Sequence, residues 1–323
     1  MPVLKGKYIL MEMLRAEGVR YIFGNPGSTE APISDALQDY PDIQYITVLQ
    51  EATALHMAKG YSRYTRRPSF VSVHISAGFA NVLSGLYGAY KGGVPVIVTA
   101  GQSDTRLMVH EPTLWSDMAD MARHYTRWSC DVLHAENMEP VLRRAFKVAR
   151  TPPTGPVFLA LTRNSLDDEA DADLVPSSPV YARLRPDPEG LQKAVELLCR
   201  AEKPLMLVGD RVAQSQAVEE AVSVAELLGC PVYALGYGEV DFPTGHPHYM
   251  GELATSWPSR SVKGLLEGAD VVLAVGCNLV TQTQYTPEPL LSSRTKVVHL
   301  DSAAWEIEKR YPVAVGLWAD PLM

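Results

Sequence analysis

Ile43-Gln-Tyr-Ile-Thr-Val-Leu49, followed by Gln50, Glu51 and an alanine-rich run over 52–64, is the stretch on which the fold turns. The first seven residues are rich in β-branched side chains and read as a strand, and the run beyond Glu51 carries helix formers without a break. A strand running straight into a helix is half of a parallel α/β unit. The junction also sets a carboxylate, Glu51, just past the carboxyl end of a buried strand, where ligands usually bind. Taken alone, Glu51 reads better as an ordinary first-turn glutamate that complements the helix dipole.

Outward from this junction the pattern repeats. A helix over 8–17 puts Ile9, Leu10, Met13 and Leu14 on one face, and a short strand over 21–23 ends at Gly24-Asn-Pro-Gly-Ser28. A second helix is expected over 29–40. The third strand, 70–75, passes through Ser76-Ala-Gly78 into a helix over 79–91, and a fourth, 94–100, ends at Gly101-Gln102. A helix over 140–149 precedes a strand over 156–161. The stretch 162–188, with Asp167-Asp-Glu169 and Pro176-Ser-Ser-Pro179, is acidic and rich in Pro and Ser and reads as a linker. Beyond it, helices over 191–200, 215–228 and 261–267 alternate with strands over 204–209, 231–235, 271–276 and 295–300. The expected fold class is α/β, with two doubly wound, mostly parallel-sheet domains, 1–165 and 189–323, joined by a linker at 166–188.

Composition narrows the function. The 323 residues carry a formal charge of −8, and no basic run has interleaved aromatics, so a nucleic-acid partner is not expected. Cys130, Cys199, Cys230 and Cys277 form no CxxC pair and fit free thiols in a reducing compartment. His246 and His248 flank Pro247 in a loop, without the accompanying ligands of a metal site, and no metal ligand is assigned. The N-terminus lacks a signal-peptide core, and no apolar run approaches the ~20 residues of a membrane span. A soluble, cytoplasmic protein is expected.

In a parallel sheet the loops at the carboxyl ends of the strands share one edge. That edge collects Asn25, Pro26, Gly27 and Ser28 from the first strand, Glu51 from the second, His74, Ser76 and Gly78 from the third, and Gln102 from the fourth. Each has a bland reading alone: Ser28 as a helix cap, His74 as a core histidine, Gln102 as a loop residue. Together they read as a polar cleft. The glycine-rich dinucleotide fingerprint, the phosphate-binding P-loop and the nucleophile elbow are all missing, so generic motifs leave the chemistry open.

Phe23-Gly-Asn-Pro-Gly-Ser-Thr-Glu30, Gln50-Glu-Ala-Thr-Ala-Leu-His-Met-Ala-Lys-Gly-Tyr61, and His74-Ile-Ser-Ala-Gly78 leading to Pro95-Val-Ile-Val-Thr-Ala-Gly-Gln102 resemble the thiamine diphosphate (ThDP) enzymes of the acetolactate synthase group. Within that group they are most similar to the benzoylformate decarboxylase branch. Gly155-Pro-Val-Phe158 resembles the last strand of the family's pyrimidine-binding domain, and Asp270 to Gly276 with Val297-Val-His-Leu-Asp301 resembles its central domain. The resemblance covers nearly the whole chain.

The resemblance implies roles. Glu51 matches the glutamate that bonds N1′ of the cofactor's aminopyrimidine and favours its imino tautomer, and the cofactor then acts as electron sink for loss of CO2 from a 2-keto acid. Ser28 and His74 match the serine and histidine that contact the substrate carboxylate and assist proton transfer. Asn25, Pro26 and Gly27 shape the loop carrying Ser28, and Gly78 and Gln102 complete the cofactor-binding set. The chain departs from the family pattern at two places. Within Gly276-Cys-Asn-Leu-Val-Thr-Gln-Thr-Gln-Tyr-Thr-Pro287, Thr283 stands where the decarboxylase has a second active-site histidine. The family's Gly-Asp-Gly and Asn-Asn diphosphate motif, which binds Mg2+, is not found. The chain is therefore expected to comprise the first two domains, with the central domain lacking its last helix, and to take its Mg2+ ligands from a domain not in this chain.

These implications set the expected function: a ThDP-dependent 2-keto acid decarboxylase or carboligase, working as a homo-oligomer (dimer or tetramer) or with a separate chain that carries the diphosphate-binding domain. Two alternatives stand beside it. One is an acetolactate synthase-like large subunit, and the other is a truncated, non-catalytic scaffold.

Overall fold

Strand and helix alternate throughout this computed structural model, which describes residues 2–236, 238–253, 260–279, 282, 283, 285 and 287–323. The first half runs β1 (Val3–Lys5), α1 (Gly6–Ala16), β2 (Tyr21–Asn25), α2 (Ala31–Ala36), β3 (Gln44–Thr47), α3 (Glu51–Thr65), β4 (Ser69–Val73) and α4 (Ala77–Lys91). It continues with β5 (Val96–Gln102), α5 (Met118–Arg123), β6 (Trp128–Val132), α6 (Met138–Arg150), β7 (Val157–Thr162), α7 (Arg163–Asp167) and β8 (Glu169–Asp171). The second half runs α8 (Pro188–Cys199), β9 (Pro204–Val208), α9 (Asp210–Gln214), α10 (Val218–Leu228), β10 (Val232–Ala234) and β11 (Tyr249–Glu252). It ends with α11 (Arg260–Gly268), β12 (Val271–Val275), β13 (Lys296–Asp301) and β14 (Val315–Trp318). Two compact units result, Met1–Tyr181 and Ala182–Met323.

The sheet of the first unit has six strands in the order β3-β2-β4-β5-β7-β6, all parallel. Strands β4, β5 and β7 are buried from end to end, because helices cover both faces. On one face lie Leu10 of α1, Ile33 of α2 and Phe146 of α6. On the other lie Leu55 of α3, Phe79 of α4 and Met118 of α5. Phe79 packs its ring 4.2 Å from that of Phe158 on β7. From β2 the chain steps to β3 on one side and returns to β4 on the other. The helices leaving β2 and β4 therefore lie on opposite faces of the sheet and open a crevice at the carboxyl ends of these two strands. The second unit repeats the plan, with six parallel strands in the order β11-β10-β9-β12-β13-β14. Among the described residues no helix is long and apolar enough to cross a membrane.

Several elements differ from the sequence reading. The stretch expected as a linker from 162 onward begins with α7 and β8, both inside the first unit. Thr162 Oγ1 caps α7 by accepting from Ser165 N, and β8 pairs antiparallel with β1. Ala170 and Ala172 are buried while Glu169 and Asp171 face out, a period of two hidden beneath acidic composition. The helix expected over 29–40 is broken into a 3-10 turn Ser28–Glu30, the short α2, and a second 3-10 turn Leu37–Asp39. The helix expected over 215–228 is interrupted at Gln216, whose φ of 61° is left-handed. Strand β6 has no counterpart in the sequence reading; its Ser, Cys and Asp residues mask an edge strand. The segment 276–287 that carries Thr283 includes positions 280, 281, 284 and 286, which lie outside the described residues.

Candidate active site

Asn25 ends β2, Glu51 opens α3 after β3, and His74 follows the last residue of β4. All three stand at the crevice where the sheet order switches direction. Helix α3 starts at Glu51 because the Gln50 side chain accepts from Thr53 N at 3.3 Å, which caps the first turn. Ser76, at the start of α4, is held at φ 48° and ψ −81°, a strained conformation for a side-chain-bearing residue. It is held there by its Oγ, 2.8 Å from Ser116 Oγ, and by its backbone N–H, which donates to Met118 Sδ at 3.3 Å.

Glu51 is 8% exposed. Asn25 Nδ2 donates to its Oε1 at 3.0 Å and Asn81 Nδ2 donates to its Oε2 at 2.8 Å. Burial pushes the carboxyl toward the neutral form. The Asn81 amide, the backbone N–H at the helix start, Asn25 and the nearby His74 more than offset this, so its pKa falls below the ordinary carboxylate value. The carboxylate is thus held in its ionised form and fixed in orientation on both oxygens.

His74 lies beside it, partly exposed, and its Nδ1 is 2.9 Å from Glu30 Oε2 and 3.2 Å from Thr29 Oγ1. Glu30 is 1% exposed. It accepts from Gly27 N at 2.8 Å, from Gly101 N at 2.7 Å and from Thr29 Oγ1 at 2.7 Å. Gly78 is buried against both Glu51 and His74.

The structure therefore brings Asn25, Gly27, Glu51, His74 and Gly78 together. Pro26 and Ser28 are exposed at the rim, and the Ser28 carbonyl accepts from Arg163 Nη1 at 3.2 Å. Gln102 is buried, and its amide serves the following loop: Nε2 donates to Ser116 O at 2.7 Å and Oε1 accepts from Ser103 N at 3.2 Å. Thr283 belongs to the second unit and is exposed. Sequence reasoning missed Asn81 and Glu30. The first was within reach, since Asn81 is three residues beyond Gly78 and shares its helix face. For Glu30 the only signal is its position three residues after Gly27, the spacing at which a glutamate turns back to a cap N–H.

Known proteins resemble this chain over nearly its whole length. The family description "Thiamine pyrophosphate enzyme, N-terminal TPP binding domain" matches residues 4–132, and "Thiamine pyrophosphate enzyme, central domain" matches residues 191–322; thiamine pyrophosphate (TPP) is another name for ThDP. The acetolactate synthase large subunit of Haemophilus influenzae is 29% identical over 324 residues, covering 98% of this chain and 56% of that protein. The benzoylformate decarboxylase of Pseudomonas aeruginosa is 30% identical over 294 residues, covering 90% of this chain and 55% of that protein. The crystal structure of benzoylformate decarboxylase from Polynucleobacter necessarius superposes with a TM-score of 0.89 at 28% identity, over 98% of this chain and 59% of that one. The chain thus spans just over half the length of the curated relatives it matches. With both domain descriptions matched and the parallel-sheet units in place, the chain belongs to the thiamine pyrophosphate enzyme family.

Proposed function

We propose that this chain supplies the pyrimidine-binding and central domains of a ThDP-dependent 2-keto acid decarboxylase or carboligase, similar to benzoylformate decarboxylase. The observation that carries the reading is the Glu51 carboxylate, buried and held between Asn25 and Asn81 at the switch point. A carboxylate fixed on both oxygens suits a ring that offers a hydrogen-bond donor. A Cβ added at Gly78 would stand 3.3 Å from Glu51 Oε1, so glycine keeps open the space in front of the carboxylate. When bound there, ThDP supplies the electron sink for breaking or forming the bond beside a keto carbon. Glu51 would hold the ring N1′ proton in a charge-assisted hydrogen bond. Asn25 and Asn81 fix the carboxylate plane, His74 exchanges protons with substrate, and Ser28 at the rim meets the substrate carboxylate. Gln102 acts through the loop that it pins.

Mg2+ belongs to the same proposal. Its oxygen ligands are assigned to the family's diphosphate-binding domain, as the resemblance implies. That domain would meet this one within a cytoplasmic homo- or hetero-oligomer. A second reading, acetolactate synthase-like, draws on the Haemophilus influenzae relative, which matches over 98% of the chain. The visible absorbance of the purified protein separates the two, because a bound flavin supports the second.

The decisive experiment is turnover by the cofactor-loaded assembly, with benzoylformate and pyruvate as probes. Glu51→Gln keeps the shape and removes the charge. It should lower turnover by ~10²–10⁴, the range for losing positioned acid–base help. A variant within threefold of wild type removes Glu51 from the chemistry.

A further inference from the structure

Glu30 is a second buried carboxylate at the switch point, and neither the cofactor nor the substrate roles proposed for this crevice use it. Every group that touches it donates or can donate. Oε2 accepts from Gly27 N and Oε1 from Gly101 N, and Thr29 Oγ1 gives its one hydrogen to Oε1. The seat is built for it. A Cβ at Gly101 would lie 2.2 Å from Glu30 Oε1, and a Cβ at Gly27 would lie 2.1 Å from His74 Nδ1. Only glycines let the two backbone N–H groups, the carboxylate and the imidazole approach so closely.

Those donors decide the state of the histidine. Toward Nδ1 of His74 stand Glu30 Oε2 at 2.9 Å and Thr29 Oγ1 at 3.2 Å. The carboxylate can only accept, and the threonine hydroxyl, its hydrogen already spent on Glu30, also accepts. Nδ1 must therefore carry the ring proton. Nε2 is left as the basic nitrogen, with no hydrogen-bond partner among the described residues, on a side chain 30% exposed. We infer that Glu30 is the positioning residue for His74: it fixes the Nδ1–H tautomer, aims the lone pair of Nε2 into the crevice, and balances the charge when Nε2 takes up a proton.

The step balances simply. A proton added at Nε2 gives an imidazolium with both nitrogens protonated, and the Nδ1 proton stays on the ring, facing Glu30. Return of the Nε2 proton restores the starting tautomer. The pairing matches the carboxylate–imidazole arrangement of hydrolytic triads, in which the carboxylate orients the ring and steadies its cation. Here it would do so for proton exchange at a keto acid centre, which rests on the proposed 2-keto acid chemistry; the tautomer itself does not depend on that function.

Two measurements test this, and the first needs no activity. In ¹⁵N-labelled protein, long-range ¹H–¹⁵N correlations of the neutral His74 ring, assigned with His74→Asn, should show a pyrrole-type Nδ1 and a pyridine-type Nε2. The reverse pattern overturns the inference, even if the protein proves to be a ThDP enzyme. The second is a double-variant cycle on turnover of the loaded assembly. Glu30→Gln should cost at least ~10-fold when His74 is present and less than ~2-fold on the His74→Asn background, the non-additivity of groups that act as a unit. Equal losses on both backgrounds would make Glu30 structural only. If Glu30→Gln does not fold, the wild-type tautomer still decides.

Discussion

Glu51 shows how polar surroundings can outweigh burial. A carboxylate at 8% exposure is pushed toward its neutral form by desolvation, yet its pKa lies below the ordinary value because two asparagine amides, a helix-start N–H and His74 favour the charge. This direction sets the sign of its contribution to stability. A folded pKa below the unfolded one gives stability that is fully present above the unfolded carboxylate value and lost as pH falls through the folded value. Asn81 is the strongest of the lowering partners, so Asn81→Ala should raise the Glu51 midpoint and shrink this contribution. Carboxyl-carbon NMR titration of Glu51 in wild type and variant checks it. An unmoved midpoint would mean that the 2.8 Å contact does not govern the charge.

At the level of elements, the alternation of strand and helix was legible because β4, β5 and β7 are continuous apolar runs, the mark of strands buried on both faces. The junction at Glu51 was legible too, and with it Asn25, His74 and Gly78. What stayed hidden depends on contacts far apart in sequence. β1 and β8 are three-residue strands that make sense only as a pair. Glu30 reads as an exposed first-turn residue until Gly101, on the strand two places away from β2, closes over it. A matched pair of glycine variants separates these local and long-range demands. Gly60 lies inside α3 with open space where a Cβ would go, so Gly60→Ala should stabilise the chain by roughly 0.5–1 kcal/mol through helix propensity. Gly101→Ala drives a Cβ into Glu30 and Thr29, so it should destabilise by about 1–3 kcal/mol as the buried carboxylate loses a donor. Urea unfolding midpoints report both. A Gly101→Ala protein as stable as wild type would show that the Glu30 seat yields at little cost.

On the scale of the whole molecule, each unit has its own parallel sheet and its own apolar clusters on the two faces. If the units fold separately, calorimetry of the chain should resolve two transitions. Phe158→Ala, which empties a fully buried site against Phe79, should then lower only the first unit's transition, by the about 3–5 kcal/mol typical of such truncations. Joint movement of both transitions would mean one cooperative body.

Cofactor affinity is also a property of the whole chain, and here charge decides. ThDP carries its negative charge in the diphosphate, and binding it tightly demands cations or Mg2+ with oxygen ligands around that end. The residues assigned to the cofactor in this chain (Asn25, Pro26, Gly27, Glu51, Gly78 and Gln102) offer neutral groups and one carboxylate, and the chain as a whole carries −8. They suit the uncharged aminopyrimidine and provide nothing to offset the phosphates. Isothermal titration of the 323-residue chain with ThDP and Mg2+ should therefore show no micromolar binding, while addition of a chain bearing the diphosphate-binding domain should produce it. Stoichiometric, Mg2+-dependent binding by this chain alone would place the diphosphate site within these two units and overturn the division of the cofactor proposed here.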